Sequence, residues 1–453
     1  MSTKQKIGVW GLGVGGTATL KYIGSMNHDI QVMDQRTPNA IEQELLTSLH
    51  AKFVPQTSIE TFLQENMYII PSSGIDISAY STYSNKWLSE LDIFTSAWHK
   101  PMIAITGSLG KTSIVHLLSR ILTMYGKKVV TGGNIGTGLL DLVAHQETHD
   151  LALIELSSFQ LEYSKTIAPD LAIITNLYAN HLDRHRTFEQ YLKAKLALIS
   201  YQKQSQKALL PFSLYERLMQ EPHLQKRSFC FFSPLPVSEA ELAKLGSRHT
   251  LYCLTNTQEI TVTHMSNTTV LANCTKLPRV SYSENWLIIT AACHMLKLPI
   301  EQLYNLSSLD LPAHRLSLTD TIKGVAYYND SKSTVPEATL IALKQFTPQR
   351  VHLFLGGISK GVDRKEFIAK IPKEIKEVLC FGAEADMLHS YCKEFKLASF
   401  TYDTLEQAFD AVVSKAQSGD IVLFSPAGAS FDLFKNYQER GIRFEELVKD
   451  LAK

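Results

Sequence analysis

A short stretch near residue 110 carries the residue types that bind phosphate. It reads GSLGKT, with glycines at positions 107 and 110 followed by Lys111 and Thr112. Glycines let backbone N–H groups converge on an anion at a helix N-terminus, a lysine adds positive charge, and a threonine hydroxyl can hold Mg²⁺. Ile105 stands where a complete Walker A motif has its first glycine. The short motif favours an ATP-binding loop, and an ordinary strand-to-helix turn is the alternative.

The flanking residues supply the elements that position such a loop. Met102–Thr106 is an apolar run typical of a buried strand. After the loop, apolar residues recur at helical spacing from Ile114 to Leu122, and Gly126 follows at the expected helix end. The pattern therefore predicts a strand, a phosphate loop and a helix in succession.

A second glycine-rich turn lies near the amino terminus. Gly11, Gly13 and Gly16 have GxGxxG spacing after a predicted strand at Lys6–Trp10, and Asp34 ends the next predicted strand. In this pattern the glycines admit a diphosphate and the acid binds a ribose hydroxyl. It predicts a site for a nucleoside diphosphate without fixing the nucleoside, and a purely structural turn is the alternative.

Two polar segments of the middle region could bind metal. Glu155 ends the apolar run Leu151–Ile154, and an acid beside a phosphate loop is where such enzymes hold Mg²⁺. The segment NHLDRH, residues 180–185, offers histidines and an aspartate, but a loop fixes no common face for them. We therefore keep both a metal site and plain solvated side chains open for that segment.

Three polar loops follow predicted strands in the last third of the chain. They are NDSKST at 329–334, GGISKGVD at 356–363 and SPAGASFD at 425–432. Loops at the carboxyl ends of parallel strands share one edge of a sheet, where ligands bind. We expect these three loops to meet.

Composition bounds the class of protein. The chain has 453 residues, which is too long for one core and indicates about three domains. Its 45 Lys plus Arg balance 44 Asp plus Glu, so bulk charge favours neither nucleic acid nor membranes as partners. There is no long apolar run or signal-type start, and the six cysteines form no CxxC, so we expect a cytoplasmic protein with free thiols.

Strand–helix alternation along the chain predicts an α/β fold. Short β-rich runs between residues 205 and 280 predict an antiparallel addition to the middle domain. We place the domains at 1–97, 98–308 and 309–453.

The motifs taken together resemble the Mur ligase family. The resemblance runs nearly end to end, is weakest across 205–280, and rests on TGSLGKTS, GGNIG, ELSSFQLE, NHLDRH, YLKAK, AHRL, NDSKST, LGGISKG and SPAGASFD. It implies a Rossmann-like N-terminal domain for a UDP-sugar, a central P-loop ATPase domain and a Rossmann-like C-terminal domain for an amino acid. The implied activity is ATP-dependent addition of D-glutamate to UDP-N-acetylmuramoyl-L-alanine through an acyl phosphate, in peptidoglycan synthesis.

The resemblance also implies a role for individual residues. For the UDP-sugar it implies Val14, Gly15, Asp34, Gln35, Arg36, Ser72, Ser73, Gly74, Ile75, Asn134, Ser157 and Gln160. For ATP it implies Gly107, Ser108, Leu109, Gly110, Lys111, Thr112, Ser113, Asn285, Arg315 and Asp330. For D-glutamate it implies Thr334, Lys360, Ser430, Phe431 and Tyr437.

The same resemblance implies the catalytic and metal groups. The catalytic set is Lys111, Glu155, His181, Lys195 and Lys332. Two Mg²⁺ ions would be held by Thr112, Glu155, His181 and Lys195, the last as a carbamate. The implied partners are small-molecule substrates of a monomer, without nucleic acid or membrane.

The sequence departs from the family pattern at four places. Leu109 replaces a usual Asn, Ser73 a usual Pro, Asn180 a frequent Asp, and Ser281-Tyr282 a usual His-Asn. Three alternatives therefore stay open: a ligase of the superfamily with another amino acid or folate as substrate, a nicotinamide-dependent oxidoreductase using the first glycine turn, and a non-catalytic binding protein.

Overall fold

The computed structural model describes residues 4–265, 267–278, 284–306 and 313–452. Over these residues the chain divides into two compact units. The first unit contains 4–177, 192–278 and 284–306, and the second contains 178–191 and 313–452. Within the described ranges, no helix is both long and apolar enough to cross a membrane.

The amino-terminal residues form a parallel sheet of four strands in the order β3-β2-β1-β4. The strands are β1 Lys6–Trp10, β2 Asp29–Asp34, β3 Lys52–Pro55 and β4 Tyr68–Pro71. The accompanying helices are α1 Val14–Gly24, α2 Ala40–Ser48, α3 Ile59–Glu65 and α4 Glu90–Ala97. Because β1 lies between β2 and β4, the glycine turn, Asp34 and Ser72 lie at one sheet edge.

The middle of the chain forms a nine-stranded sheet in the order β13-β12-β11-β10-β9-β8-β5-β7-β6. The strands are β5 Met102–Thr106, β6 Val129–Gly133, β7 Leu151–Glu155, β8 Leu171–Ile174, β9 Lys207–Pro211, β10 Cys230–Ser233, β11 Thr250–Leu254, β12 Glu259–His264 and β13 Asn267–Asn273. The helices along this part of the chain are α5 Lys111–Met124, α6 Ser158–Glu162, α7 Leu182–His185, α8 Phe188–Ser200, α9 Tyr215–Met219, α10 Glu239–Leu245 and α11 Glu284–Met295.

Strand β5 organises this sheet because it is wholly buried and lies between β7 and β8. Both neighbours run parallel to it, with Ile105 level with Glu155 and Thr106 level with Ile174. The phosphate loop, Glu155 and the residues after β8 therefore share the carboxyl edge of the sheet.

The prediction of an antiparallel addition over 205–280 is wrong for part of that segment. Strands β9, β10 and β11 continue the parallel sheet, and only the β11/β12 and β12/β13 pairs are antiparallel. The connections explain the difference: α9 lies between β9 and β10, and α10 between β10 and β11, so each crossover returns the chain to the same end of the sheet.

The last third of the chain forms a six-stranded sheet in the order β14-β15-β19-β16-β17-β18. The strands are β14 Ser317–Ile322, β15 Val325–Asn329, β16 Val351–Gly356, β17 Glu377–Phe381, β18 Ser399–Tyr402 and β19 Ile421–Phe424. The helices are α12 Pro336–Leu343, α13 Arg364–Ala369, α14 Ala385–Glu394, α15 Leu405–Val413 and α16 Tyr437–Leu451. Every pairing is parallel except β14/β15, an antiparallel edge strand that the sequence did not reveal.

The prediction that three polar loops share one edge of this sheet is confirmed. Strand β19 lies between β15 and β16, so the loops after all three strands are neighbours. Ile358 and Ala429 join two of the loops through reciprocal backbone hydrogen bonds of 2.8 and 2.9 Å.

Two buried arginines hold these loops together. Arg440 of α16 is fully buried; it donates to the hydroxyl and carbonyl oxygens of Ser331 at 3.0 and 2.8 Å and to the Gly428 carbonyl at 3.0 Å. Arg364 donates to the Ala427 carbonyl at 2.6 Å and to Glu384 at 3.0 Å. Burial lowers the pKa of Arg440 to about 9, which reflects the cost of holding this charge away from water.

Replacing Arg440 should destabilise the second unit strongly. Arg440→Met removes the donor from two buried carbonyl oxygens, those of Ser331 and Gly428, and from the Ser331 hydroxyl. Each loss costs about 1–3 kcal/mol, so we expect the free energy of unfolding in urea to fall by at least about 3 kcal/mol. Arg443→Met on the same helix removes only exposed pairs with Glu406 and Glu446, so its loss should stay below about 1 kcal/mol. Equal losses for the two variants would contradict the role given to Arg440.

Candidate active site

The phosphate loop depends on glycine at two positions. Gly107 has φ +146° and Gly110 has φ +81°, in the region that side-chain-bearing residues rarely adopt. A Cβ at Gly107 would lie 2.0 Å from the Thr175 hydroxyl oxygen, so the turn has no room for a side chain. Lys111 begins α5 and folds back over the loop, where its ammonium donates to the Gly107 and Ser108 carbonyls at 3.0 and 3.3 Å.

The residues after β8 hold the loop from the side. The Asn176 side-chain oxygen accepts the Leu109 N–H at 2.8 Å, and the Thr175 hydroxyl donates to the Leu109 carbonyl at 2.5 Å. The Leu109 side chain is buried. Although Leu109 replaces the usual Asn, the loop backbone at this position is held by Thr175 and Asn176. The sequence motif did not predict these two contacts.

Helix α11, for which the family resemblance implies a place beside adenine, begins near the loop. Asn285, in the first turn of α11, is buried, and its side-chain oxygen lies 3.8 Å from where a Cβ of Gly110 would stand. The departing residues Ser281 and Tyr282 lie outside the described residues.

Glu155 offers a free oxygen in a buried position. One carboxylate oxygen accepts the Asn134 amide at 2.9 Å, and the other has no hydrogen-bond partner among the described residues. The side chain is almost inaccessible to solvent. A buried carboxylate oxygen without a donor suits a hard cation such as Mg²⁺, which proteins bind through one or two carboxylates together with substrate phosphates.

Lys195 lies in the same part of the first unit. It projects from α8, is fully buried, and its ammonium donates to the Thr106 hydroxyl at 3.0 Å. Burial, reinforced by the positive charge of Lys111, lowers the pKa of Lys195 well below its ordinary value, and the negative charge of Glu155 opposes this only in part. The surroundings therefore disfavour an ammonium at this position.

The NHLDRH segment belongs to the second unit, whereas Glu155 and Lys195 belong to the first. His181 has φ +55°, and its N–H donates to the Asn180 side chain at 3.0 Å. The Leu182 N–H donates to the Lys360 carbonyl at 3.1 Å, so this segment packs on the loop after β16. In the part of the chain that the structure describes, no three His, Cys, Asp or Glu side chains form a ready metal cluster.

The glycine turn after β1 is closed by Asp34. One oxygen of this carboxylate accepts the Leu12 N–H at 2.6 Å, and the other accepts the Arg36 N–H at 3.0 Å. The predicted ribose ligand thus already holds the turn and the following loop. The guanidinium of Arg36 pairs with Glu42 at 2.5 Å, and Val14, at the start of α1, is exposed. The exposed start of α1 leaves the turn open to an anion.

A cleft of about 570 Å³ collects part of the predicted UDP-sugar set. Ser72, Ser73 and Gln160 line it, together with the hydroxyls of Ser81 and Tyr163. Its size is that of small-molecule sites, and its hydroxyl-rich wall suits a polar ligand. The Ser157 and Gln160 side chains also cap α6 by reciprocal hydrogen bonds, so they are held in fixed positions.

Glu90 lines the same cleft and was missed by sequence reasoning. Its carboxyl is buried, one oxygen has no hydrogen-bond partner among the described residues, and the other lies 2.8 Å from where a Cβ of Gly15 would stand. Burial raises the pKa of Glu90 to about 7; the Leu139 N–H opposes this shift and the negative charge of Asp141 adds to it. Only the packing of α1 against α4 and the Leu139 segment distinguishes this acid from a solvated first-turn glutamate.

Asp330, for which the family resemblance implies contact with ATP, directly follows β15 in the second unit. It is fully buried and accepts hydrogen bonds from the Ser333 and Ser425 hydroxyls and the Leu316 N–H. Burial raises the pKa of Asp330, and the nearby positive charge of Arg315 opposes that shift. The structure thus brings Arg315 and Asp330 together, but the Asp330 oxygens already accept hydrogen bonds from the surrounding loops.

The residues predicted for the amino acid lie on the joined loops of the second unit. The Lys360 ammonium donates to the Thr334 hydroxyl at 3.4 Å, and the Lys332 ammonium lies 5.5 Å from the centre of the Tyr437 ring. Ser430 is buried, whereas the next residue, Phe431, is 70% exposed. Two lysines and two hydroxyls on one sheet edge can bind a compact anion.

Two family models match the chain, the Mur ligase middle domain over residues 105–270 and the Mur ligase, glutamate ligase domain over residues 314–428. A UDP-N-acetylmuramoylalanine–D-glutamate ligase from Pseudothermotoga lettingae is 30% identical over 447 residues, covering 97% of each chain. The enzyme of that name from Desulfotalea psychrophila is 31% identical over 454 residues, covering 97% of this chain and 95% of its own.

Solved structures share the fold at lower identity. A pseudomurein peptide ligase type C from Methanothermus fervidus matches with a TM-score of 0.59 at 17% identity, covering 99% of this chain and 100% of its own. A MurF ligase from Thermotoga maritima in complex with ADP matches with a TM-score of 0.56 at 17% identity, covering 88% and 92%. At such identities the likeness shows the fold alone.

The buried Glu90 should make stability depend on pH. Its pKa is raised on folding from 4.5 to about 7, so the unfolded chain releases the proton at lower pH than the folded chain. The free energy of unfolding of the wild-type protein therefore falls by up to about 3 kcal/mol as pH rises through that interval. Glu90→Gln has no group that ionises at this position, so its stability relative to wild type should increase between about pH 5 and about pH 8 in urea unfolding. The exposed control Glu44→Gln should follow the wild-type profile, and a parallel profile for Glu90→Gln would contradict the shift.

Proposed function

Because this chain belongs to the Mur ligase family of ATP-dependent peptidoglycan ligases, we propose that it joins D-glutamate to UDP-N-acetylmuramoyl-L-alanine. The observation that carries the proposal is the grouping of Lys111, Glu155 and Lys195 at the carboxyl edge of β5 and β7. The full-length relatives named for this reaction support the choice of substrates. A nicotinamide-dependent oxidoreductase leaves this grouping unexplained.

The chemistry requires activation of a carboxylate. ATP transfers its terminal phosphoryl group to the carboxylate of the L-alanyl residue and leaves as ADP. The amine of D-glutamate then attacks the acyl phosphate carbon, the C–N bond forms, and inorganic phosphate departs with the bond pair. In-line phosphoryl transfer concentrates negative charge on the transferred oxygens. We propose that Lys111, whose ammonium lies over the phosphate loop, offsets that charge.

Glu155 and Lys195 fit the requirement for metal. The free oxygen of Glu155 is a donor for Mg²⁺, which would neutralise phosphate charge when bound. Carbamylation of the Lys195 amine by carbon dioxide forms an N–C bond, releases one proton and turns a buried nitrogen into a carboxylate. We propose that this group, with Thr112, Glu155 and His181, holds two Mg²⁺ ions.

The loops of the second unit are proposed to bind D-glutamate. Lys360 and Thr334, joined at 3.4 Å, offer an ammonium and a hydroxyl to a side-chain carboxylate. Ser430, Phe431 and Tyr437 are proposed to complete the site, and Lys332 to approach the reacting acyl group.

The finer features of the proposal follow the same family. We propose a monomer with domains at 1–97, 98–308 and 309–453, working in the cytoplasm on small molecules without nucleic acid or membrane. Light scattering of the purified chain tests the monomer, since a mass twice that of one chain would contradict it.

Phosphate release from ATP tests the proposed reaction. Purified protein is given UDP-N-acetylmuramoyl-L-alanine and, in separate reactions, D-glutamate, L-alanine, meso-diaminopimelate or D-alanyl-D-alanine. We expect release with D-glutamate alone. Release with another amino acid would mean that the chain prefers that amino acid, and release with none from folded protein would overturn the proposed reaction on UDP-N-acetylmuramoyl-L-alanine.

Lys195→Ala should abolish turnover by removing the proposed carbamate. We expect kcat to fall at least about a hundredfold, and added acetate to restore part of it by supplying a carboxylate in the space that the side chain leaves. Lys193→Ala, on the exposed face of the same helix, is the control and should retain wild-type kcat. Wild-type turnover in Lys195→Ala would remove Lys195 from the mechanism.

Lys360→Met should weaken binding of the amino acid selectively. Loss of one charge-assisted hydrogen bond should raise KM for D-glutamate about tenfold or more and leave KM for ATP near its wild-type value. Lys365→Met removes an exposed ammonium of α13 that pairs with Glu394 at the end of α14, and it should change neither constant. An unchanged KM for D-glutamate in Lys360→Met would place that substrate elsewhere.

A further inference from the structure

A second cleft of the first unit lies at the opposite edge of the central sheet from the phosphate loop. It is lined by Lys207, Cys230 and Thr250, the first residues of β9, β10 and β11. These strands run parallel to β5, to which β8 connects them in the sheet. The cleft therefore lies where strands begin, whereas the phosphate loop follows the last residue of β5. The cleft is therefore separate from the candidate active site. Its volume of about 630 Å³ is that of a small-molecule site.

The charged groups around this cleft are of one sign. Lys207, Arg248 and Lys297 line it, and no Asp or Glu is among its described lining residues. The Lys207 ammonium donates to the Met295 carbonyl at 2.7 Å, and the Arg248 guanidinium donates to the Gln225 carbonyl at 3.1 Å. None of the three cations forms an ion pair within the described ranges. Such a concentration of one charge is unexpected in a chain whose net charge is +1.

Two histidines add capacity for positive charge. A ring nitrogen of His294 lies 2.9 Å from the Tyr252 hydroxyl, and a ring nitrogen of His264 lies 3.1 Å from the Thr250 hydroxyl. Burial and the charge of Lys207 lower the pKa of His294. An anion in the cleft would offset the charge of Lys207 and favour protonation of His294.

The floor of the cleft is aromatic. Tyr252 and Phe229 line it and are 1% and 2% exposed. An apolar floor below a cationic rim matches a ligand that combines a hydrocarbon or ring portion with anionic groups. From the single-sign rim, the aromatic floor and the position of the cleft, we infer that it binds a small organic anion carrying phosphate or carboxylate groups. This site does not rest on the proposed ligase function.

Histidine NMR of the full-length protein tests this site. The ring signal of His294, assigned with His294→Gln, is titrated with pH in the absence and presence of inorganic pyrophosphate or citrate. We expect either anion to raise the pKa of His294 by at least about 0.5. The two probes separate a phosphate preference from a carboxylate preference. Pyrophosphate bound at the phosphate loop would leave this signal unchanged.

Variants decide whether the cleft itself causes the shift. Lys207→Gln and Arg248→Gln should each weaken the anion about fivefold or more, whereas Lys203→Gln, an exposed lysine outside the cleft, should leave the affinity unchanged. If one variant fails to fold, the titration of the wild-type protein still tests whether the anion shifts the pKa of His294. The absence of a His294 shift at about 5 mM of both probes, or a shift that both cleft variants retain, would overturn the inference.

Discussion

A buried lysine constrains the part of this protein around the phosphate loop. Removing an ammonium from water costs several kcal/mol, and Lys195 is fully buried between Thr106 and the neighbourhood of Glu155, with Lys111 close by. A fold optimised only for stability would place an apolar side chain there. The proposed carbamate would put a carboxylate at this position, which together with Glu155 would suit Mg²⁺. The glycine conformations of the loop and the parallel order of β7, β5 and β8 hold the phosphate loop, Glu155 and the residues after β8 at the same edge of the sheet.

The second unit also contains buried positive charges, those of Arg364 and Arg440. Carbonyl oxygens of its three loops, those of Ser331, Gly357, Ala427 and Gly428, accept hydrogen bonds from two buried arginines. Arg440 and Arg364 supply donors to these oxygens, and Asp330 collects the hydroxyls of Ser333 and Ser425. Planar guanidinium groups with several donors suit this task, because one side chain can satisfy two loops. The lysines proposed to bind substrate can therefore stand on a rigid edge.

Local pattern predicted much of this molecule. Strands β1 and β5 have the predicted bounds, and the three polar loops converge because parallel strands end at one edge. Pattern failed where a residue's role depends on distant packing. Glu90 has the sequence context of a solvated first-turn acid, and only the approach of Gly15 and Leu139 buries it. The direction of β10 depends on the crossovers through α9 and α10, which short apolar runs do not reveal. Asp34 fits the ribose-binding pattern, but its oxygens close the glycine turn.

The central claim is that this protein uses ATP to activate the carboxylate of its substrate. The most direct test follows the oxygen atoms of that carboxylate. Substrate UDP-N-acetylmuramoyl-L-alanine carrying ¹⁸O at both oxygens of its terminal carboxylate is converted with ATP and D-glutamate, and the inorganic phosphate is analysed by mass spectrometry. An acyl phosphate intermediate passes one carboxylate oxygen to phosphate, so the account predicts one ¹⁸O atom per phosphate released. Unlabelled phosphate from a reaction that forms the amide would contradict it.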